Sequence, residues 1–278
     1  MDVNGQTQPA QGEVELGAPP TPAWHVAAAS ACGASHARAG MPCQDAQQVK
    51  ARADGTMVIA VADGAGSASL ADVGAALAVN AAVAYLDGQA GTQAWADAAP
   101  DQGMCTEALK AACAAVEAAA ACRQVAAREL ASTLILVVAM PRAAAAIQVG
   151  DGAVVIAAEQ GQLIALTTPQ SGEYINETTF LISPGAIETA QFRVYEGALT
   201  RLAVFTDGLQ MLALRMPEAQ PHAPFFLPLF RFAAAAHDRQ AADAELAQFL
   251  ASERVRARTD DDVTLVLAAL ADQADATA

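Results

Sequence analysis

Lysine and arginine are scarce in this chain: 15 residues of 278, against 30 aspartates and glutamates, for a formal charge of −15. So acidic a surface repels nucleic acid and anionic membranes, which argues against both as partners. Long apolar runs are missing too. Asp, Gly or Pro interrupts each one before it reaches the length of a membrane helix. The first 22 residues lack the basic start and apolar core of a secretion signal and read as a flexible leader. The cysteines are few, odd in number and scattered: Cys32, Cys43, Cys105, Cys113 and Cys122, with no Cys-x-x-Cys pair. That spacing disfavours a zinc site or a disulfide framework and fits reduced thiols in the cytoplasm.

What the chain does have is apolar substance, 54% hydrophobic residues and much of it alanine, enough for a substantial core. Residues 24–32 and 46–53 read as strands joined by the glycine-containing segment 33–45. Residues 56–62 run without a polar break into Asp63-Gly64, the pattern of a strand buried on both faces. A helix is expected next, capped by Ser67 or Ser69, with Asp72 in its first turn and Leu70, Val73, Leu77, Ala81 and Ala84 on its inner face. After a loop at 88–103, a second helix over about 105–130 aligns Leu109, Cys113, Val116 and Ala120.

The period then changes. Runs at 133–140, 145–149, 153–158 and 163–166, broken by Pro141, Asp151-Gly152 and Gly161, predict four successive strands of an antiparallel meander. A polar insert at 167–187 precedes strands at 191–195 and 202–205, helices near 224–236 and 241–252, and a last strand at 263–270. Strands segregated from two pairs of helices point to an α+β layered sandwich.

Five acidic residues, at four strand ends, share one context. Asp63 and Asp207 end apolar strands, Asp261 and Asp262 precede one, and Asp45 opens the strand at 46. A carboxylate at the rim of a packed strand is costly unless it is paired, hydrogen-bonded or bound to a metal. Too few cations lie nearby to pair them all, so a hard divalent cation is one candidate partner. The competing reading is that Asp63-Gly64, Asp151-Gly152 and Asp207-Gly208 are ordinary turns. For Asp151 alone, a two-residue hairpin is the better reading; Asp63 differs, because Gly64-Ala65-Gly66-Ser67 leads straight into a helix.

The order of short segments adds more than any one of them. Cys43-Gln44-Asp45, Val61-Ala62-Asp63-Gly64-Ala65-Gly66, Ser132-Thr133-Leu134, Val149-Gly150-Asp151-Gly152, Phe205-Thr206-Asp207-Gly208 and Asp261-Asp262-Val263-Thr264 together resemble the motif series of type 2C metal-dependent protein phosphatases. Ser35-His36 and the run from Gly172 to Thr178 resemble a bacterial branch of that family. The resemblance implies a four-layer α-β-β-α sandwich of two antiparallel sheets, occupying residues 23–271 between the leader and a short tail at 272–278. It implies two Mn²⁺ or Mg²⁺ ions, bridged by Asp63, with the Gly64 carbonyl, Asp207 and Asp261 as further ligands. Asp151 matches the position of a third, weaker ion, and Asp45 would help position the water that attacks phosphorus in place of a thiolate. Choosing Asp261 over Asp262 rests on matching Asp-Asp-Val-Thr to the family's Asp-Asn-Ile-Thr.

The chain also departs from the family pattern. Gln44 stands where many members have Glu, Ala65 where eukaryotic members have a candidate general-acid His, and Gly40 where an arginine usually binds substrate phosphate. His36 and Arg38 are the nearby substitutes, His36 as a candidate catalytic group and both as phosphate contacts. The implied activity is hydrolysis of phosphoserine and phosphothreonine in proteins, opposing a serine/threonine kinase in the same cytoplasm. Two alternatives stand beside it: a catalytically weak module that binds a phosphoprotein or kinase, and a hydrolase for small phosphate esters.

Overall fold

The computed structural model describes residues 23–90, 100–170 and 178–271. The leader, the tail, most of the expected 88–103 loop and residues 171–177 of the insert lie outside them.

Ten strands form two five-stranded antiparallel sheets. One contains β1 (Trp24–Ala31), β6 (Ala153–Ala158), β7 (Leu163–Thr167), β9 (Leu199–Phe205) and β12 (Val263–Leu270), in the order β1-β12-β9-β6-β7. The other runs β2-β3-β4-β5-β8, from β2 (Ala46–Ala51), β3 (Met57–Ala62), β4 (Leu134–Met140), β5 (Ala143–Val149) and β8 (Gln191–Glu196). Strand alternation sorts their side chains into separate cores. Met57, Ile59 and Val61 of β3 meet Val154, Ile156, Val204 and Val266 between the sheets. Val58, Ala60 and Ala62 of the same strand face the other way, onto a helical layer. That two-sided burial is why the 57–62 run carries no polar residue.

The helical layer on β2–β8 is α2 (Ala71–Ala90) with α3 (Gln102–Arg123). The layer on the other sheet is α5 (Ala223–Ala234) with α6 (Arg239–Leu250). The architecture is therefore α-β-β-α, as expected. Shorter elements complete it: α1 (Ala34–Ala39), α4 (Gln210–Ala213), α7 (Glu253–Arg256) and the hairpin of β10 (Leu214–Arg215) and β11 (Gln220–Pro221). Among the described residues no helix is long and apolar enough to cross a membrane.

Five expectations change. The meander does not exist, because β4–β5 belong to one sheet and β6–β7 to the other. The chain switches sheets at Gly150-Asp151-Gly152, so Asp151 is not in a two-residue hairpin turn. The inner face of α2 is the small-residue stripe Ala75, Ala78, Val79, Ala82, Val83 and Leu86, while Leu70, Val73 and Leu77 are only half-buried. Alanine and glycine let this helix approach its neighbours closely; a Cβ on Gly74 would lie 2.0 Å from the Leu130 carbonyl oxygen. Leu70, not a serine, precedes α2, since the Ser69 hydroxyl donates to Glu129 at 2.9 Å. The second helix stops at Arg123, where Gln124 turns left-handed, and a separate 3₁₀ turn spans Ala127–Leu130.

Candidate metal centre

The site collects at one end of the sheet pair, where strands meet loops. Asp63 follows β3, and its backbone is locked in place. Its N–H donates to the Thr133 hydroxyl at 2.9 Å, and its carbonyl accepts from the Thr133 N–H at 2.8 Å. Asp207 follows β9 and Asp151 sits in the sheet-switching loop. Carboxylate oxygens of Asp63, Asp151 and Asp207 all lie within 4.8 Å of one another.

A buried glutamine holds the Asp151 loop. Gln148 Nε2 donates to the carbonyls of Gly150 (2.9 Å), Gly152 (2.7 Å) and Thr168 (3.3 Å), and its Oε1 accepts from Thr167 at 2.6 Å. Gly150 is required there: its φ is +109°, and a Cβ would strike Thr133 at 2.5 Å. Sequence reading passed over Gln148, although one polar residue in the apolar run Ala143–Val149 was a visible sign.

Like charges so close together, with little water, hold their protons. Burial, then the charges of Asp45, Asp207, Asp261 and Asp151, push the Asp63 carboxyl well above the usual range. Burial, then Asp151 and Asp261, raise Asp207 to about 7. Asp151 is raised as well, chiefly by burial. Asp45 is buried, and desolvation raises it to about 7 despite hydrogen bonds from Thr264 and Thr206. The Thr206 hydroxyl donates to Asp45 Oδ2 at 2.9 Å.

These groups suit a hard cation. Oδ1 of Asp45, Asp151 and Asp207 is buried with no hydrogen-bond partner. Among the described residues no lysine or arginine forms an ion pair with Asp45, Asp63, Asp151 or Asp207. Oxygen-rich and proton-retaining, with single hydroxyl donors from Thr178 to Asp151 Oδ2 and from Thr206 to Asp45 Oδ2, the cluster has the donor set of Mg²⁺ or Mn²⁺.

Residues 32–251 match the protein phosphatase 2C family. The chain belongs to that family. Serine/threonine-protein phosphatase 3 of Escherichia coli (strain K12) is 38% identical over 253 residues, 88% of this chain and 98% of that one. The fold agrees with the serine/threonine phosphatase PstP/Ppp of Mycobacterium tuberculosis at TM-score 0.59 and 18% identity, over 90% of this chain and 99% of that one. A PstP catalytic domain solved with two manganese ions superposes with TM-score 0.59 at 19% identity, covering 91% and 100% of the two chains.

Within the family frame, the Asp-Asp pair divides its work. Asp261 is exposed and close enough to raise Asp63, Asp151 and Asp207. Asp262 is 2% exposed and accepts from Gly33 N–H (2.6 Å), Gln44 N–H (2.6 Å) and His36 Nδ1 (2.9 Å). It pins α1 and the segment before Asp45, a structural role that the motif match did not assign. His36 is buried and tied to Asp262 rather than standing among the three clustered carboxylates. Arg38 is 72% exposed and lies 4.0 Å from Asp260. Gly64 bridges Ser132 through its backbone.

Cys32 and Arg38 stand at the Cys-x5-Arg spacing of thiol-dependent phosphatases, yet the local structure does not support that chemistry. Burial and Asp262 raise the Cys32 thiol, and Arg38 is aimed at Asp260. A nucleophilic thiolate needs the opposite environment.

Proposed function

We propose that this chain is a metal-dependent protein serine/threonine phosphatase, hydrolysing phosphoserine and phosphothreonine with water as the nucleophile. The observation that carries the reading is the cluster of Asp63, Asp151 and Asp207, with buried carboxylate oxygens that have no protein partner. Asp63, the Gly64 carbonyl, Asp207 and Asp261 would hold two Mn²⁺ or Mg²⁺ ions, and Asp151 would serve a third. When bound, such ions lower the pKa of a coordinated water and neutralise the phosphoryl oxygens. Asp45 is fixed through Oδ2 by Thr206, which leaves Oδ1 as an acceptor to orient the attacking water. His36 and Arg38 are the groups nearest the vacant arginine position at residue 40, and one of them would meet the substrate phosphate or protonate the leaving oxygen. A cognate serine/threonine kinase and a cytoplasmic location fit this activity and the free cysteines.

The test is turnover of phosphoserine peptides and of an aryl phosphate, with and without Mn²⁺. Metal-dependent turnover of both, faster on peptides, is expected. Preference for small phosphomonoesters would move the assignment to a small-molecule phosphatase. Peptide binding without turnover would make the chain a regulatory module.

A further inference from the structure

A second feature is lined by none of the clustered carboxylates. A cavity of about 380 Å³ opens between α4, the first half of α5, the end of α6 and the α7 turn. Phe225, Pro228, Leu229 and Phe249 give it an apolar floor. Arg254 and Arg258, both exposed, complete the lining. In sequence its lining stands close to the site acids: Met211 follows Asp207 by four positions, and Arg258 precedes Asp261 by three.

Two independent observations mark this cleft as a place where another molecule sits. Apolar side chains cluster in its lining and stay partly or largely open to solvent, Met211 at 74% together with Pro224, Phe225, Pro228 and Phe249. Such clustering marks interaction surfaces, whereas single exposed apolar residues do not. The charge is also the reverse of the rest of the protein. In a chain with twice as many acids as bases, Arg254 and Arg258 have no ion pair among the described residues, although Glu253 and Asp260 are close in sequence. Pro228 adds a backbone acceptor. It has no N–H, so the carbonyl of Pro224, also in the lining, lacks its usual helical donor.

We propose that this cleft docks an acidic segment of the phosphoprotein substrate that carries at least one large apolar side chain. The apolar side chain fills the Phe225–Phe249 floor, and carboxylates meet Arg254 and Arg258. The proposal rests on the phosphatase reading above. A surface of charge −15 repels an acidic peptide almost everywhere, so two arginines without an ion pair in one apolar cleft select where it binds. Charge complementarity of this kind sets specificity and encounter rate more than raw affinity.

The test uses the full chain and two phosphoserine peptides, identical except for flanks of Glu-Leu-Glu or Ser-Gly-Ser. An aryl phosphate, which has no flank, is the control. The parent should prefer the acidic–apolar peptide by about tenfold in kcat/KM, the scale that two rim ion pairs and one apolar anchor permit. The Arg254→Glu/Arg258→Glu double variant should lose that preference while aryl-phosphate turnover stays within about twofold of the parent. Met211→Ser, at an exposed position where folding is not at stake, should lose part of it. Fluorescence anisotropy of the labelled, unphosphorylated acidic peptide on metal-free protein gives a readout independent of catalysis. Binding should weaken in the double variant and with added salt. Equal kcat/KM for the two peptides in the parent, or a preference that survives charge reversal, overturns the proposal. If no phosphate ester is turned over, the phosphatase reading fails on its own. Arginine-dependent anisotropy would then keep the cleft as a docking surface, and its absence would remove that too.

Discussion

Two groups of carboxylates sit at the same rim of the sandwich and are treated in opposite ways. Asp262 is surrounded by donors, receiving two backbone N–H groups and one imidazole within 2.9 Å. Asp63, Asp151 and Asp207 are crowded against each other, and Oδ1 of both Asp151 and Asp207 is buried without a donor. The first arrangement holds three chain segments together. The second destabilises the fold by itself and has the donor set that suits a hard cation. In this protein the donors a buried carboxylate receives, rather than its place in a motif, separate a structural acid from a candidate metal ligand.

The largest expected effect falls on the donor-starved group. Asp63→Asn keeps the shape and removes the charge, so turnover should fall by more than about a hundredfold at every Mn²⁺ concentration. Its metal-free melting temperature should stay level or rise, because repulsion within the cluster is relieved. Turnover across a metal titration, beside thermal melts without metal, checks both. Full activity in this variant would dissolve the comparison. Asp262→Ala should behave in the opposite sense. Three buried donors lose their acceptor together, at a cost of about 3–5 kcal/mol, and metal-free stability should drop before any effect on chemistry is measured. Denaturant unfolding reads this directly, and a loss under about 1 kcal/mol would put Asp262 with the metal ligands instead.

The layers were legible in the sequence because they follow from period. The unbroken apolar run of β3 requires cover on both faces, and the segregated helices supply it. The site acids were legible because Asp63, Asp151 and Asp207 each stand beside a glycine at a strand end. The sheet switch was not. Val149-Gly150-Asp151-Gly152 reads locally as a hairpin, and the bonds from Gln148 to Gly152 and Thr168 that hold the crossing depend on the folded chain. The inner face of α2 was misread for a related reason. When alanine lines most of a helix, periodicity favours the larger Val73 and Leu77, whereas close approach favours Gly74, Ala75 and Ala78. The division between Asp261 and Asp262 depends on partners more than 200 positions away, at Gly33, His36 and Gln44.

A smaller effect sharpens the comparison through pH. In the metal-free protein Asp45 and Asp207 are raised to about 7 and Asp63 is raised well above its ordinary value. The folded state therefore binds protons that the unfolded chain releases near pH 4. That stabilisation is fully present below about pH 4 and is lost as pH rises through about 7. The metal-free melting temperature should fall between pH 5 and 8, and Mn²⁺ should offset the fall by binding the deprotonated cluster. Asp207→Asn should flatten the metal-free slope. A melting temperature that rises over this interval would mean that the carboxylates are satisfied in the apoprotein.

The smallest effect concerns the two candidates for the phosphate contact, only one of which belongs to the comparison. His36 belongs to the satisfied group, with Nδ1 on Asp262 and only 8% of the residue exposed. Removing it leaves Asp262 its two backbone donors, so His36→Ala should lower stability by about 1 kcal/mol. It should lower kcat/KM by about tenfold, through a displaced Asp45 segment or a lost phosphate contact. His36→Asn separates these causes, since a side-chain amide can restore the donor to Asp262 without supplying an imidazole. Recovery of both stability and kcat/KM makes His36 a positioning residue; recovery of stability alone leaves it with the substrate. Arg38 belongs to neither group. Its side chain is 72% exposed, and its partner Asp260, 73% exposed, lies 4.0 Å away, a geometry worth little in water. Arg38→Ala should leave stability unchanged and shift KM for a phosphopeptide by less than about twofold, as expected of an isolated surface charge. A KM increase near tenfold with unchanged kcat would instead show Arg38 swinging onto the phosphate, and would take the contact away from His36.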